Sequence, residues 1–149
     1  NKTNDLTETQ FEKLEADLKI AQEYKHRFVI LHKPPMSLYQ QSWYKPETSS
    51  WSYRFMKLCE RYKVDMVFSG HEHMFRTNTY GGVRYFMSGG GGMITKTPEV
   101  DGGYLNYLVI RVYRGYLDYE VRKVHPPFWE VITYYMWKNL VFFVRDAIL

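Results

Sequence analysis

Val64-Asp65-Met66-Val67-Phe68-Ser69-Gly70-His71-Glu72-His73 is the stretch on which the fold of this chain turns. Val64 to Ser69 is short, mostly apolar and rich in β-branched and aromatic residues, which predicts a buried strand. Gly70 permits a sharp exit from it. The residues that follow stand outside a strand C-terminus, where open α/β sheets place their ligands. If the segment stays extended, side chains two apart point the same way, so His71 and His73 face one cavity and Glu72 points elsewhere.

Working outward, Arg27 to Leu31 predicts a second buried strand, stopped by Pro34 and Pro35, with His32 at its C-terminal end. Three imidazoles then converge at one end of a sheet. Imidazole nitrogen suits zinc, iron, manganese or nickel, so His32, His71 and His73 are candidate metal ligands. The alternative is that all three are ordinary polar loop residues.

The remaining elements follow from periodicity and turn chemistry. Thr7 and Gln10 form a capping-box pattern, and Phe11, Leu14, Leu18 and Ala21 recur on one face, predicting a helix from about residue 8 to 24. Ser50 can cap a second helix carrying Trp51, Phe55, Leu58, Cys59 and Tyr62 on one stripe. Phe75 to Tyr80 and Val83 to Ser88 flank Gly81-Gly82, a hairpin signal, and Tyr104 to Tyr113 and Tyr116 to Val124 flank Arg114-Gly115. Alternating helix and strand followed by consecutive strands predicts an α/β layered domain with a mixed sheet and antiparallel hairpins. A first strand with no strand before it leaves a sheet edge that such a domain normally continues or covers.

The chain has 149 residues, 45% hydrophobic and 24% charged, enough for one domain with a usable core. Its 20 Lys and Arg against 16 Asp and Glu suit an anionic ligand, but they are scattered singly, and no nucleic-acid partner is expected. Cys59 is the only cysteine and reads as a buried thiol. The opening residues are polar, and no signal peptide is expected among them.

Leu31-His32-Lys33-Pro34-Pro35, then Val64 to His73, then Tyr85-Phe86-Met87-Ser88-Gly89-Gly90-Gly91-Gly92 resembles, in order and spacing, the closing motifs of the calcineurin-like metallophosphoesterases. The resemblance covers residues 7 to 125. It implies the C-terminal half of a four-layer α/β/β/α sandwich with a dinuclear site for two divalent transition metals, Mn, Fe, Zn or Ni. By that resemblance His32 and His71 ligate one metal and His73 the other, and the glycine-rich loop after Ser88, Gly90 included, shapes the mouth of the site. Tyr39 and Trp43, on a long aromatic loop, and Arg76 are the candidates for substrate contact, with Lys33 and Arg84 as further cations near the motifs.

The opening motifs of that family, an Asp-x-His, a Gly-Asp and an Asn-His, do not occur in these 149 residues. Two dications 4 Å apart repel by about 16 kcal/mol at an effective dielectric of 20, and neutral imidazoles cannot cancel that. The expectation is a fragment of a phosphate-ester hydrolase that binds at most one metal weakly. It turns nothing over until the N-terminal half, or a second chain, supplies the carboxylates, and no catalytic residue is assigned within it. The competing reading is a degenerate scaffold of the same fold that binds protein or membrane.

Residues 126–149 form a separate apolar, aromatic segment with helical periodicity, in which only Glu130, Lys138, Arg145 and Asp146 are charged. Three readings stay open for it: docking on its own or a neighbouring subunit's core, attachment to a membrane or cell-envelope surface, or the start of a longer segment.

Overall fold

The computed structural model describes residues 6–35, 51–91 and 97–125. Helix α1 (Glu8–Ile20) starts at Thr7, whose side chain accepts from the Gln10 backbone N–H while the Gln10 side chain accepts from the Thr7 N–H. This reciprocal cap is worth about 1 kcal/mol. A 3-10 turn (Ala21–Glu23) leads into strand β1 (Phe28–Ile30). Helix α2 (Trp51–Arg61) then precedes β2 (Met66–Ser69).

Helix α2 ends in a Schellman arrangement: Val64 N–H donates to Cys59 O and Lys63 N–H to Glu60 O, with Lys63 left-handed at φ 52. Strands β3 (Phe75–Tyr80) and β4 (Val83–Ser88) form the first predicted hairpin, and β5 (Asn106–Val112) and β6 (Leu117–Lys123) the second. Gly81 and Gly82 take φ of 56 and 79, the two positive values that a tight hairpin turn of this hand requires.

β1, β2 and β4 run parallel and β3 antiparallel, in the order β1-β2-β4-β3, and β5 with β6 makes a separate two-stranded sheet. One face of the larger sheet presents Val29, Val67, Val83 and Tyr85 to Phe11 and Leu18 of α1 and to Phe55, Cys59 and Tyr62 of α2, forming the core. The opposite face presents Phe68 and Phe86, stacked at 5.4 Å, and Phe86 meets Tyr119 of β6 edge to face at 4.8 Å. The described residues thus form three layers, helices, mixed sheet and small antiparallel sheet, as expected of an α/β fold. A second helical layer is not among them.

One expectation is corrected. β1 is not buried: among the described residues it is an edge strand, with Phe28 41% and Ile30 81% exposed. Only Val29 and Leu31 pack against the helical core. Apolar composition reveals that a strand can be buried, not that a neighbour is present to bury it. The aromatic loop with Tyr39 and Trp43, the cap at Ser50 and the segment 126–149 lie outside the described residues.

Candidate functional site

The strand order dictates the site. The chain leaves β2 at Ser69 but next enters β3, on the far side of β4, so residues 70 to 74 must cross over the C-terminal end of β4. Gly89 continues β4 beneath that crossing, its N–H donating to Met74 O at 3.0 Å. A Cβ there would lie 1.8 Å from Glu72 O, so only glycine lets the crossing sit this low. Gly90 is held equally tightly: a Cβ would lie 2.4 Å from Tyr104 O, and Gly90 O accepts from Asn106 N–H. The role visible for Gly90 is close packing of the loop.

The crossing is not extended. Glu72 N–H donates to Gly70 O and Met74 N–H donates to Glu72 O, both at 2.8 Å, so two three-residue turns follow one another, centred on His71 and His73. His71 sits at φ 68, the sign of the rare, strained γ-turn. The simple alternation that would aim His71 and His73 together therefore fails, because each turn reverses the chain within the span where alternation was assumed.

What the turn achieves is a meeting with His32. Gly70 N–H donates to His32 O, fixing the end of β1 beside the start of the crossing. His71 Nδ1 then lies 3.2 Å from His32 Nε2, with ring centroids 5.1 Å apart and planes at 82°. Both side chains are exposed. They line a cavity of about 320 Å³ with Leu6, Leu31, Lys33 and Trp51.

The distance has two chemical meanings. One neutral imidazole can donate to the other, or both can present lone pairs to one cation. Two nitrogens on a tetrahedral ion at 2.0–2.1 Å stand about 3.3 Å apart, so the observed spacing fits two positions of a coordination shell. His73 is exposed, and its side chain makes no hydrogen bond or ring contact among the described residues. No group of three or more His, Cys, Asp or Glu placed to hold a metal occurs among the described residues. The pair fits part of a metal site and leaves its remaining positions to other donors.

Of the cations, Lys33 lines the same cavity. Arg76 is instead paired with Asp101 at 3.8 Å, which ties it to the 3-10 turn Glu99–Asp101. Arg84 is the second residue of β4, at the opposite end from the histidines, with its guanidinium 5.5 Å from the Tyr119 ring centroid. It borders a larger cavity of about 580 Å³ with His26, Arg27, Lys63 and Asp65. That cavity is the roomier one, but it lies where the parallel strands begin and holds neither member of the histidine pair.

Two residues escaped the sequence reading. Asn106, 2% exposed, accepts from Ser88 Oγ at 2.5 Å and donates through Nδ2 to Tyr104 O at 2.9 Å, latching the small sheet to the glycine loop. Its signal was an amide among apolar residues at a strand start. Glu72 has its Oε2 buried with no partner among the described residues, beside the histidine pair in sequence. Sequence alone placed that side chain away from the site and offered no other role for it.

No protein-family description and no curated protein sequence matches this chain. Among solved structures it is similar to GAP50, described as the anchor in the inner membrane complex of Plasmodium, with TM-score 0.56 and 15% identity over 78% of this chain and 38% of that one. It also aligns with Vps29 complexed with zinc from Entamoeba histolytica, at 17% identity over 48% of this chain and 46% of that one, but a TM-score of 0.30 is too low to equate the folds. The chain spans less than half the length of either protein.

Proposed function

We propose that this chain is the C-terminal part of a metal-dependent phosphoesterase that hydrolyses phosphate mono- or diesters with metal-activated water. The observation that carries the reading is the His32–His71 pair, two imidazoles 3.2 Å apart where adjacent parallel strands end. A strained φ at His71 supports it further, since strain at a strand terminus persists where the surrounding structure holds it for a purpose.

In this reading His32 and His71 hold one divalent ion and His73 contributes to a second. Bound metal supplies Lewis acidity and an acidified water. This chain's own residues orient the rings through the Gly70–His32 backbone bond, place the Lys33 charge at the cavity for a phosphoryl oxygen, and wall it with Leu6, Leu31 and Trp51. The bridging carboxylate and the catalytic histidine come from polypeptide outside residues 1–149.

A test is metal-dependent hydrolysis of an aryl phosphate and an aryl phosphodiester by the parent protein, beside its His71→Ala variant. Turnover that disappears in the variant supports the reading, and no turnover with any of Mn, Fe, Zn or Ni ends it.

The GAP50 likeness favours a second reading, a scaffold of this fold that serves as an anchor, with residues 128–149 lying on a membrane surface. No helix among the described residues is long and apolar enough to cross a membrane. Vesicle co-sedimentation that is lost on deleting residues 128–149, in a protein without hydrolase activity, selects this alternative.

A further inference from the structure

Three cations stand together where the parallel strands begin. Arg27 precedes β1, Lys63 precedes β2 and Arg84 lies at the start of β4, and all three line the cavity of about 580 Å³. Asp65 ties these starts to one another. Its N–H donates to Arg27 O, its Oδ2 accepts from Arg27 N–H at 2.8 Å, and its O accepts from Arg84 N–H. The cations are thereby carried on one fixed stretch of backbone.

Their charges are unequally matched. Of the carboxylates lining the cavity, Glu60 is bonded to Lys57 at 2.7 Å, and Asp65 is engaged by the Arg27 backbone and lies 3.9 Å from His26 Nδ1. Arg27 donates from Nε and Nη1 to the carbonyls of Lys63 and Tyr24, which fix its guanidinium without cancelling its charge. Lys63 and Arg84 have no carboxylate partner among the described residues. One wall beside them is aromatic. His26 Nε2–H donates to Tyr113 O at 3.0 Å and holds the β5–β6 turn against the cavity. Tyr116, 61% exposed, lines the cavity and stacks on Tyr113 with ring centroids 4.4 Å apart and planes at 18°. Gly82 and Gly115, also lining it, have open space where a Cβ would point, so the mouth is unobstructed by side chains there.

We propose that this cavity binds a nucleotide, its phosphate taken by Lys63 and Arg84 and its base laid against Tyr116. Two uncompensated cations ask for an anion, and a stacked, exposed ring asks for a flat partner; a nucleotide carries both. The volume is that of small-molecule sites. The site is built from described residues and lies at the other end of the sheet from the histidine pair. Leu6, Lys33 and Trp51 line the histidine cavity, while Gly90 bonds to Asn106 and Val124 to Leu105, so the described stretches join the rest of the chain at that far end. Neither a metal nor the phosphoesterase reading is needed for it.

NMR titration of the 149-residue chain with adenosine monophosphate, in the presence of a chelator, tests this. One saturable site should shift the amides of Gly81, Gly82, Gly115 and Tyr116 and leave those of Gly70 and His71 in place. Adenosine and inorganic phosphate, titrated separately, should each bind at least about tenfold more weakly, since each engages half of the site. Lys63→Gly, Arg84→Gln and Tyr116→Ala should each weaken the nucleotide about tenfold. Lys63→Gly also relieves a positive φ, so its weaker binding cannot come from unfolding. Lys13→Ala, which removes an exposed charge of α1 that does not line the cavity, should leave the affinity unchanged.

No saturable shift up to about 10 mM nucleotide overturns the proposal. So does inorganic phosphate or adenosine matching the nucleotide, or Lys13→Ala weakening it as much as Lys63→Gly. Shifts confined to Gly70 and His71 would put the ligand in the histidine cavity and overturn it too. A site that appears only on deleting residues 126–149 would make that segment the occupant, with the same consequence.

Discussion

His71 Nδ1 stands 3.2 Å from His32 Nε2 because two residues 39 apart in sequence end neighbouring parallel strands, and because His71 accepts a left-handed backbone to face its partner. Both rings are exposed and neither belongs to the core, so substitutions there test the proposed metal binding separately from fold maintenance.

Titration calorimetry of the 149-residue chain with Zn²⁺ and with Mn²⁺ should show at most one weak site. His32→Ala and His71→Ala should each abolish it, with urea midpoints changed by less than about 0.5 kcal/mol equivalent for His32→Ala, as for other exposed positions. Tight binding of two ions per chain would contradict the view that further donors are needed.

Lys63 and His71 are the non-glycine residues with positive φ among those described, at 52 and 68. Lys63 occupies a helix C′ position where glycine is the ordinary choice, so Lys63→Gly should stabilise by up to about 1 kcal/mol. His71→Gly should stabilise by a similar amount, about 1 kcal/mol, and also lose the metal, whereas Lys63→Gly should bind metal as the parent does. Urea unfolding with paired calorimetry checks both. If His71→Gly brings no gain in stability, the strain argument for function fails.

Gly89→Ala should destabilise by about 1–3 kcal/mol, because its Cβ must displace the Glu72 carbonyl that caps β4. Since that carbonyl belongs to the crossing, metal affinity at His71 should fall with it. Asn106→Ala should cost about 2 kcal/mol by leaving Ser88 Oγ and Tyr104 O without their buried partner, yet spare the His32–His71 pair. Equal losses of metal affinity in the two variants would show that the glycine loop and the crossing move as one unit.

Burial pushes the Cys59 thiol from 9.0 up to about 12, and burial likewise raises the Tyr85 phenol. For each group the unfolded chain releases its proton first, so the folded state binds more protons as pH rises past 9, and stability must fall there. The fall should begin near pH 9 and continue towards 12. Cys59→Ala should make that decline shallower in urea titrations, despite a lower plateau from the small cavity it leaves. Cys59 should stay unreactive to a thiol-specific disulfide reagent in the folded chain at pH 8 and react on unfolding. Rapid labelling of folded protein would show that the α2 core opens locally.

The amino-acid sequence by itself determined the elements. The Thr7–Gln10 cap, the Gly81-Gly82 turn, the α2 stripe and both hairpins are local matters of spacing within a few residues, and each stands where periodicity and turn chemistry put it. The positions of His32 and His71 at strand ends were legible for the same reason. Only the tertiary structure decided what stands beside what. The β1-β2-β4-β3 order forces residues 70 to 74 over β4, and that crossing turns His71 left-handed, breaks the extended path between His71 and His73 and requires Gly89. The same order leaves Ile30 on an open edge although its composition suits a core. These outcomes depend on contacts between residues tens of positions apart, and local propensity holds no information about which neighbour, or whether any, will be present.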